Sequence, residues 1–122
     1  MKMAQVILFA KDVARLRAFY EGALGLAYLD GEGDFVRLDA SGCALALHAI
    51  PKAIAAQITI TTPPKARSDT PIKLAFHTDD VDGARERLLE LGAVMRDVHR
   101  FDDIAFCDGL DPEGNVFQIT TR

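Results

Sequence analysis

Three histidines, His48, His77 and His99, are the side chains of this 122-residue chain best suited to proton transfer or metal binding. Imidazole titrates near neutrality and can serve as acid, base or ligand. His48 ends the alternating run "CALALH", His77 lies in "IKLAFHT" and His99 closes "AVMRDVH", so all three ride on strand-like segments. Each alone reads as an ordinary half-buried or solvent-facing residue. Together they are candidates for a displaced metal site, and His48 and His77 are weak acid/base candidates. Cys43 and Cys107 are isolated thiols whose spacing fits neither a disulfide scaffold nor a zinc motif. They read as small buried hydrophobes in a reducing cytosol. No Gly-rich phosphate loop or nucleophile elbow is present, and Ser41 and Ser68 have no visible His/Asp partners. Asp79-Asp80 is a carboxylate pair, or more simply a helix start with Asp80 as its cap.

The elements that would carry these residues follow from periodicity. "AQVILFA" reads as a strand. In "KDVARLRAFYEGALGL", Val13, Leu16, Phe19, Tyr20, Ala23 and Leu24 recur at helical spacing. Asp12 caps that helix and Gly25 ends it, giving a helix over 12–24. "LAYLD", "DFVRLDA" and "CALALHAI" are three further strands. The plan then repeats: a strand at 72–78, a helix over 80–91 with Val81, Ala84, Leu88 and Leu91 on one face, and strands at "AVMRDVH", "DIAFCD" and "NVFQITT". Asp80 and Gly92 stand as cap and stop where Asp12 and Gly25 stood. An internal repeat of a whole β-α-β-β-β unit says more than any single strand. Residues 1–50 form module one, 51–71 a connector with an extra strand at "QITIT", and 72–122 module two, all within a single domain over 1–122. "DPEGN" is a tight turn leading into the last strand.

Composition sets the outer limits. Hydrophobic residues make up 49% and charged residues 26%, ordinary for a globular protein. The apolar runs are far too short to span a bilayer, and no secretion signal opens the chain, so a cytoplasmic protein without a membrane partner is expected. The net charge of −4, with no Lys/Arg cluster, argues against nucleic acid.

The segments "KDVARLRAFYEGALGL", "FVRLDASGCALALH", "KLAFHTDDVDGARERLLELGA" and "DPEGNVFQI", in this order, resemble the vicinal oxygen chelate superfamily of glyoxalases, bleomycin resistance proteins and extradiol dioxygenases. The resemblance covers nearly the whole chain. It implies an α+β fold of two β-α-β-β-β modules whose curled mixed sheets form a cup, one face of each sheet on its helix and the other lining the cup. Strand alternation then assigns sides. Gln5, Ile7 and Phe9 fall in the cup, as do Ala44, Ala46 and His48, then Lys73, Ala75 and His77, then Val116, Gln118 and Thr120. Tyr20 or Tyr28, with Phe35, are candidates for aromatic walls beside Phe9.

In metal-dependent relatives, the first and last strand of each module supply His, Glu or Gln ligands. Here the resemblance places those positions at Gln5, Ala46, Lys73 and Gln118. They offer two neutral amides, no donor at Ala46 and a cation at Lys73, so no metal or other cofactor is expected. The leading expectation is a metal-independent small-molecule binder with Gln5, Phe9, His48, Lys73, His77 and Gln118 at its site. None of the inward positions assigned on these four strands is acidic. An anionic ligand is therefore an expected partner of Lys73, with the connector or a second chain as other sources of a carboxylate; the plainer reading is that Lys73 reaches the rim and pairs with solvent or a surface acid. A glyoxalase-type lyase or isomerase, or a dioxygenase, with displaced metal ligands is the alternative, and an interaction module the third. Open sheet edges and an apolar face lead to the expectation of a homodimer.

Overall fold

The alternation in "AQVILFA" does form a strand in the computed structural model, which describes residues 1–122. The chain divides into two compact units, Met1–Thr59 and Ile60–Arg122. The first contains β1 (Gln5–Ala10), α1 (Val13–Gly22), β2 (Ala27–Glu32), β3 (Phe35–Asp39), β4 (Ala44–Ala49) and a short α2 (Lys52–Ala55). The second contains β5 (Leu74–His77), α3 (Val81–Glu90), β6 (Val94–Met95), β7 (His99–Phe101), β8 (Ile104–Leu110) and β9 (Val116–Thr120). Sheet one runs β1-β4-β3-β2; sheet two runs β5-β9-β8-β6, with β7 also on β8. Only β1/β4 and β5/β9 are parallel. The others are antiparallel, so each sheet is mixed and the fold is α+β.

Both long helices start and stop as their sequences dictate. The Asp12 carboxylate accepts from Arg15 N–H at 3.0 Å and that of Asp80 from Gly83 N–H at 2.9 Å. Each satisfies an N–H that the helix itself cannot. Past the helix ends, Gly25 and Gly92 adopt φ of +71° and +83°, the left-handed turn that favours glycine. Helix α1 buries Leu16 and Tyr20 against β3 and β4, and α3 buries Val81, Ala84 and Leu88 against β6, β8 and β9. Burying a side chain of Leu size contributes about 1.5–3 kcal/mol. Leu91, expected on the same face, lies just beyond α3 and is exposed.

Two expectations about strands are corrected. "QITIT" is not a strand. Ile58 N–H instead donates to Ala55 O at 3.0 Å, closing the turn after α2, and Ile58 O accepts from Lys11 Nζ. "AVMRDVH" is not one strand but two, β6 and β7. Met95 faces Gly109 and His99 faces Phe106, so four steps on one side match three on the other. The extra residue is a bulge, which breaks the strand and reverses the side its residues face.

The second half of the connector is tied to the "DPEGN" turn. Arg67 N–H donates to Gly114 O at 2.8 Å. Asp111, fully buried, holds the turn by accepting from the N–H groups of Glu113 and Asn115 at 2.9 and 3.0 Å and from the Asn115 amide at 2.8 Å. Gly114 has φ +83°, and a Cβ there would meet Lys65 O at 2.0 Å; at Gly25 a Cβ would meet nothing within 4 Å. Gly25→Ala therefore incurs only the left-handed backbone penalty, about 1–2 kcal/mol. Gly114→Ala adds a backbone clash, so it is expected to destabilise more by urea denaturation and to speed amide exchange at Arg67.

Candidate functional site

The open face of sheet two carries every second residue of its strands. Registers Ala75↔Gln118↔Asp108 and His77↔Thr120↔Phe106↔His99 lay out two rows across it. Lys73, one residue before β5, extends the same face. Its ammonium lies 3.1 Å from both carboxylate oxygens of Asp108, and the Gln118 amide donates to Asp108 Oδ1 at 2.9 Å. The partner of Lys73 is thus a partly exposed carboxylate of its own unit, in line with pairing to a surface acid and not with a ligand, connector or second-chain anion. Asp108 was missed because β8 alternates Ile104, Phe106 and Asp108 with Ala105 and Cys107. Both its sides begin apolar, and no side announces itself as inward. Next to this cluster, Phe101, Ile104 and Phe106, with Ala75, Gln118, Thr120 and the cation Arg122, line a hollow of about 590 Å³. That size falls within the roughly 300–1,000 Å³ usual for ligand pockets.

The open face of sheet one is separate in composition. Ile7 and Phe9 are 42% and 59% exposed. Phe9 stacks on His48 with ring centroids 5.7 Å apart, and Phe35 meets the same imidazole edge-on at 5.5 Å. Gln5 begins this face opposite Ala44. Ala46 is fully buried between its neighbours Ile7 and Arg37. The Arg37 guanidinium binds both oxygens of Asp30, with Nε–Oδ1 at 2.7 Å. That bond holds the exposed Asp30 carboxyl below its ordinary range. Tyr20 is excluded as a wall because it is wholly buried on the sheet-facing side of α1. Tyr28 pairs with Leu38 on the helix side, where Arg17 lies 4.3 Å over its ring.

Alternation did not assign a face to His99; the structure stacks it on Phe106 at 5.4 Å, on the open side of sheet two. His77 is exposed, with Nε2 3.6 Å from Asp79 Oδ1. Three strand spacings separate His77 from His99, about 14 Å between backbones, too far to share an ion. Cys107 is buried; burial pushes its thiol up from the ordinary value, and Sγ donates to Arg96 O at 3.1 Å. Cys43 is half-buried, and both thiols are free.

Two mixed sheets, each with its first strand parallel to its last and a helix on one face, define the glyoxalase-like architecture. The family model for the glyoxalase-like domain matches residues 5–120, so the chain belongs to that family, within the vicinal oxygen chelate superfamily. No curated protein sequence matches it significantly. Solved structures share the fold. A lactoylglutathione lyase from Agrobacterium tumefaciens is 22% identical, with a TM-score of 0.70 over 98% of this chain and 92% of that one. The fosfomycin resistance protein FosX from Listeria monocytogenes is 14% identical, with a TM-score of 0.75 over 98% and 92%. A protein of unknown function from Agrobacterium tumefaciens is 24% identical, with a TM-score of 0.74 over 98% and 93%.

The positions that the resemblance gives to metal ligands do not fit a divalent ion. Ala46 has no donor atom. Lys73 brings a cation, and Gln118 gives its amide to Asp108. A transition metal needs imidazole, thiolate or carboxylate donors converging on one point, and no three His, Cys, Asp or Glu side chains converge here. The Lys73–Asp108 pair is partly solvated, with side chains 43% and 24% exposed, so its net worth is small. Removing one partner is another matter, because it leaves a carboxylate short of donors. Lys73→Met is expected to lower stability by about 1 kcal/mol in urea denaturation. The double variant Lys73→Met/Asp108→Leu is expected to recover most of that loss.

Proposed function

We propose that this chain is a metal-independent small-molecule-binding protein, with its ligand held on the open face of sheet two. The Lys73–Asp108–Gln118 cluster carries this reading. At two of the positions where metal-dependent relatives place ligands, this chain has an ammonium and an amide, and both donate to the carboxylate of Asp108. Beside them lies a hollow large enough for a small organic molecule, walled by Phe101, Ile104 and Phe106, with Gln118, Thr120 and the cation Arg122 as polar points. Apolar walls with few polar groups are the usual make-up of a ligand pocket. Gln118 has its Nε2 committed to Asp108 and keeps its carbonyl oxygen for a ligand donor. Two free cysteines fit a reducing compartment, which supports a cytoplasmic location.

The test is a thermal-shift screen against metabolites and antibiotics, since a ligand of the native state raises the apparent Tm. Hits are then titrated against Ala75→Leu, whose larger side chain projects from an exposed strand position into the hollow. Wild-type protein is expected to give hits with added EDTA present, and Ala75→Leu to weaken them at least tenfold. Hits that vanish with EDTA and return with zinc or manganese support the metal-dependent enzyme instead.

We also propose a homodimer, on the strength of the apolar open face of sheet one. Ile7 and Phe9, exposed beside Phe35 and His48, form the kind of patch that a second copy would cover. Light scattering at micromolar concentration is expected to give twice the chain mass, and Phe9→Lys to shift it toward the single chain.

A further inference from the structure

A second hollow of about 320 Å³ lies on the other side of the Lys73–Asp108–Gln118 cluster, lined by residues of the 67–72 segment and by Arg96. Lys73 and Asp108 face this hollow and Gln118 faces the apolar one, so the cluster is their common wall. Three cations, Arg67, Lys73 and Arg96, line it against one carboxylate, Asp108. Their sum is +2, in a chain whose net charge is −4. Asp108 is already bonded to Lys73 and Gln118. Arg17, Arg37, Arg85 and Arg100 each pair with a carboxylate; Arg67 and Arg96 do not, nor do Arg87 and Arg122, and of these four only Arg67 and Arg96 share this hollow.

Each guanidinium carries five N–H donors in a planar fork that matches a carboxylate or phosphate. Two such forks on one small hollow repel each other, and an oxyanion between them would relieve that repulsion. The position of Arg67 is fixed by its own backbone bond to Gly114 O and by Thr70, whose hydroxyl donates to Arg67 O at 2.9 Å. Arg96 is held likewise, its N–H on Asp108 O at 2.8 Å. Ser68, on the same lining, adds a neutral hydroxyl donor.

We propose that this hollow is an anion-binding site that takes a carboxylate or phosphoryl group between Arg67 and Arg96, with the internally paired Lys73 and Asp108 as its wall. The site stands on its own residues and does not depend on a ligand in the apolar hollow. The experiment is an NMR titration of the whole chain with inorganic phosphate and, separately, with acetate, at ionic strength held constant with chloride. The expected result is saturable shifts at the amides of Ser68, Thr70, Lys73 and Asp108 with at least one of the two. The stronger binder identifies phosphoryl or carboxylate as the preferred group. Arg67→Ala and Arg96→Gln are each expected to weaken binding about tenfold, the usual effect of losing a charge-assisted bond. Arg100→Ala, which removes a cation paired with Asp82, is expected to leave binding unchanged. The proposal is overturned if neither anion gives saturable shifts, if chloride alone reproduces them, or if both hollow variants bind within twofold of wild type.

Discussion

Parallel pairing of the first strand of each unit with its last, β1 on β4 and β5 on β9, sets where every other residue can go. A parallel neighbour cannot be reached by a tight turn, so the chain must cross over before it returns. In each unit the crossover includes a helix, and that helix takes one face of the sheet. The other face is left to the alternate side chains. Within unit two this brings Lys73 and Gln118, 45 positions apart in sequence, to the same carboxylate.

That carboxylate changes the chemistry of the open face. A lone ammonium on a half-apolar surface would call for an outside anion. Asp108 satisfies it from within, and Gln118 adds a third hydrogen bond. The cluster then behaves as a fixed polar partition with little net charge. Arg67 and Arg96, which the connector and the bulged strand bring to one hollow, keep positive charge that no carboxylate offsets, as does Arg122 at the other hollow.

Much of the fold was legible because it rests on local signals that occur twice. Asp12 and Asp80, Gly25 and Gly92, and the alternation of Val6 with Leu8 and of Leu74 with Phe76 each have one simple reading. The misses have physical causes. "QITIT" has strand-like residues, but its first amides complete the turn after α2, a tertiary choice that no propensity records. Tyr28 could not be told from a wall residue, since only the register with Leu38 places it on the helix side. Arg67 sits in a polar connector that looks like plain linker; its importance comes from Gly114, whose missing side chain lets the chain lie against the turn. His99 was unreadable because alternation carried forward from Val94 gives the wrong side once the bulge is passed.

The same bulge makes the aromatic rim of the apolar hollow a matter of counting. Phe101 reaches the open side only because one surplus residue lies between Met95 and His99. A deletion of a single codon within 96–98 would leave His99, Arg100 and Phe101 in the chain and turn each through half a revolution. Arg100 would then replace the two rings on the open side. Across related chains, the length of this short stretch is therefore a better guide to an apolar rim than the residues that fill it.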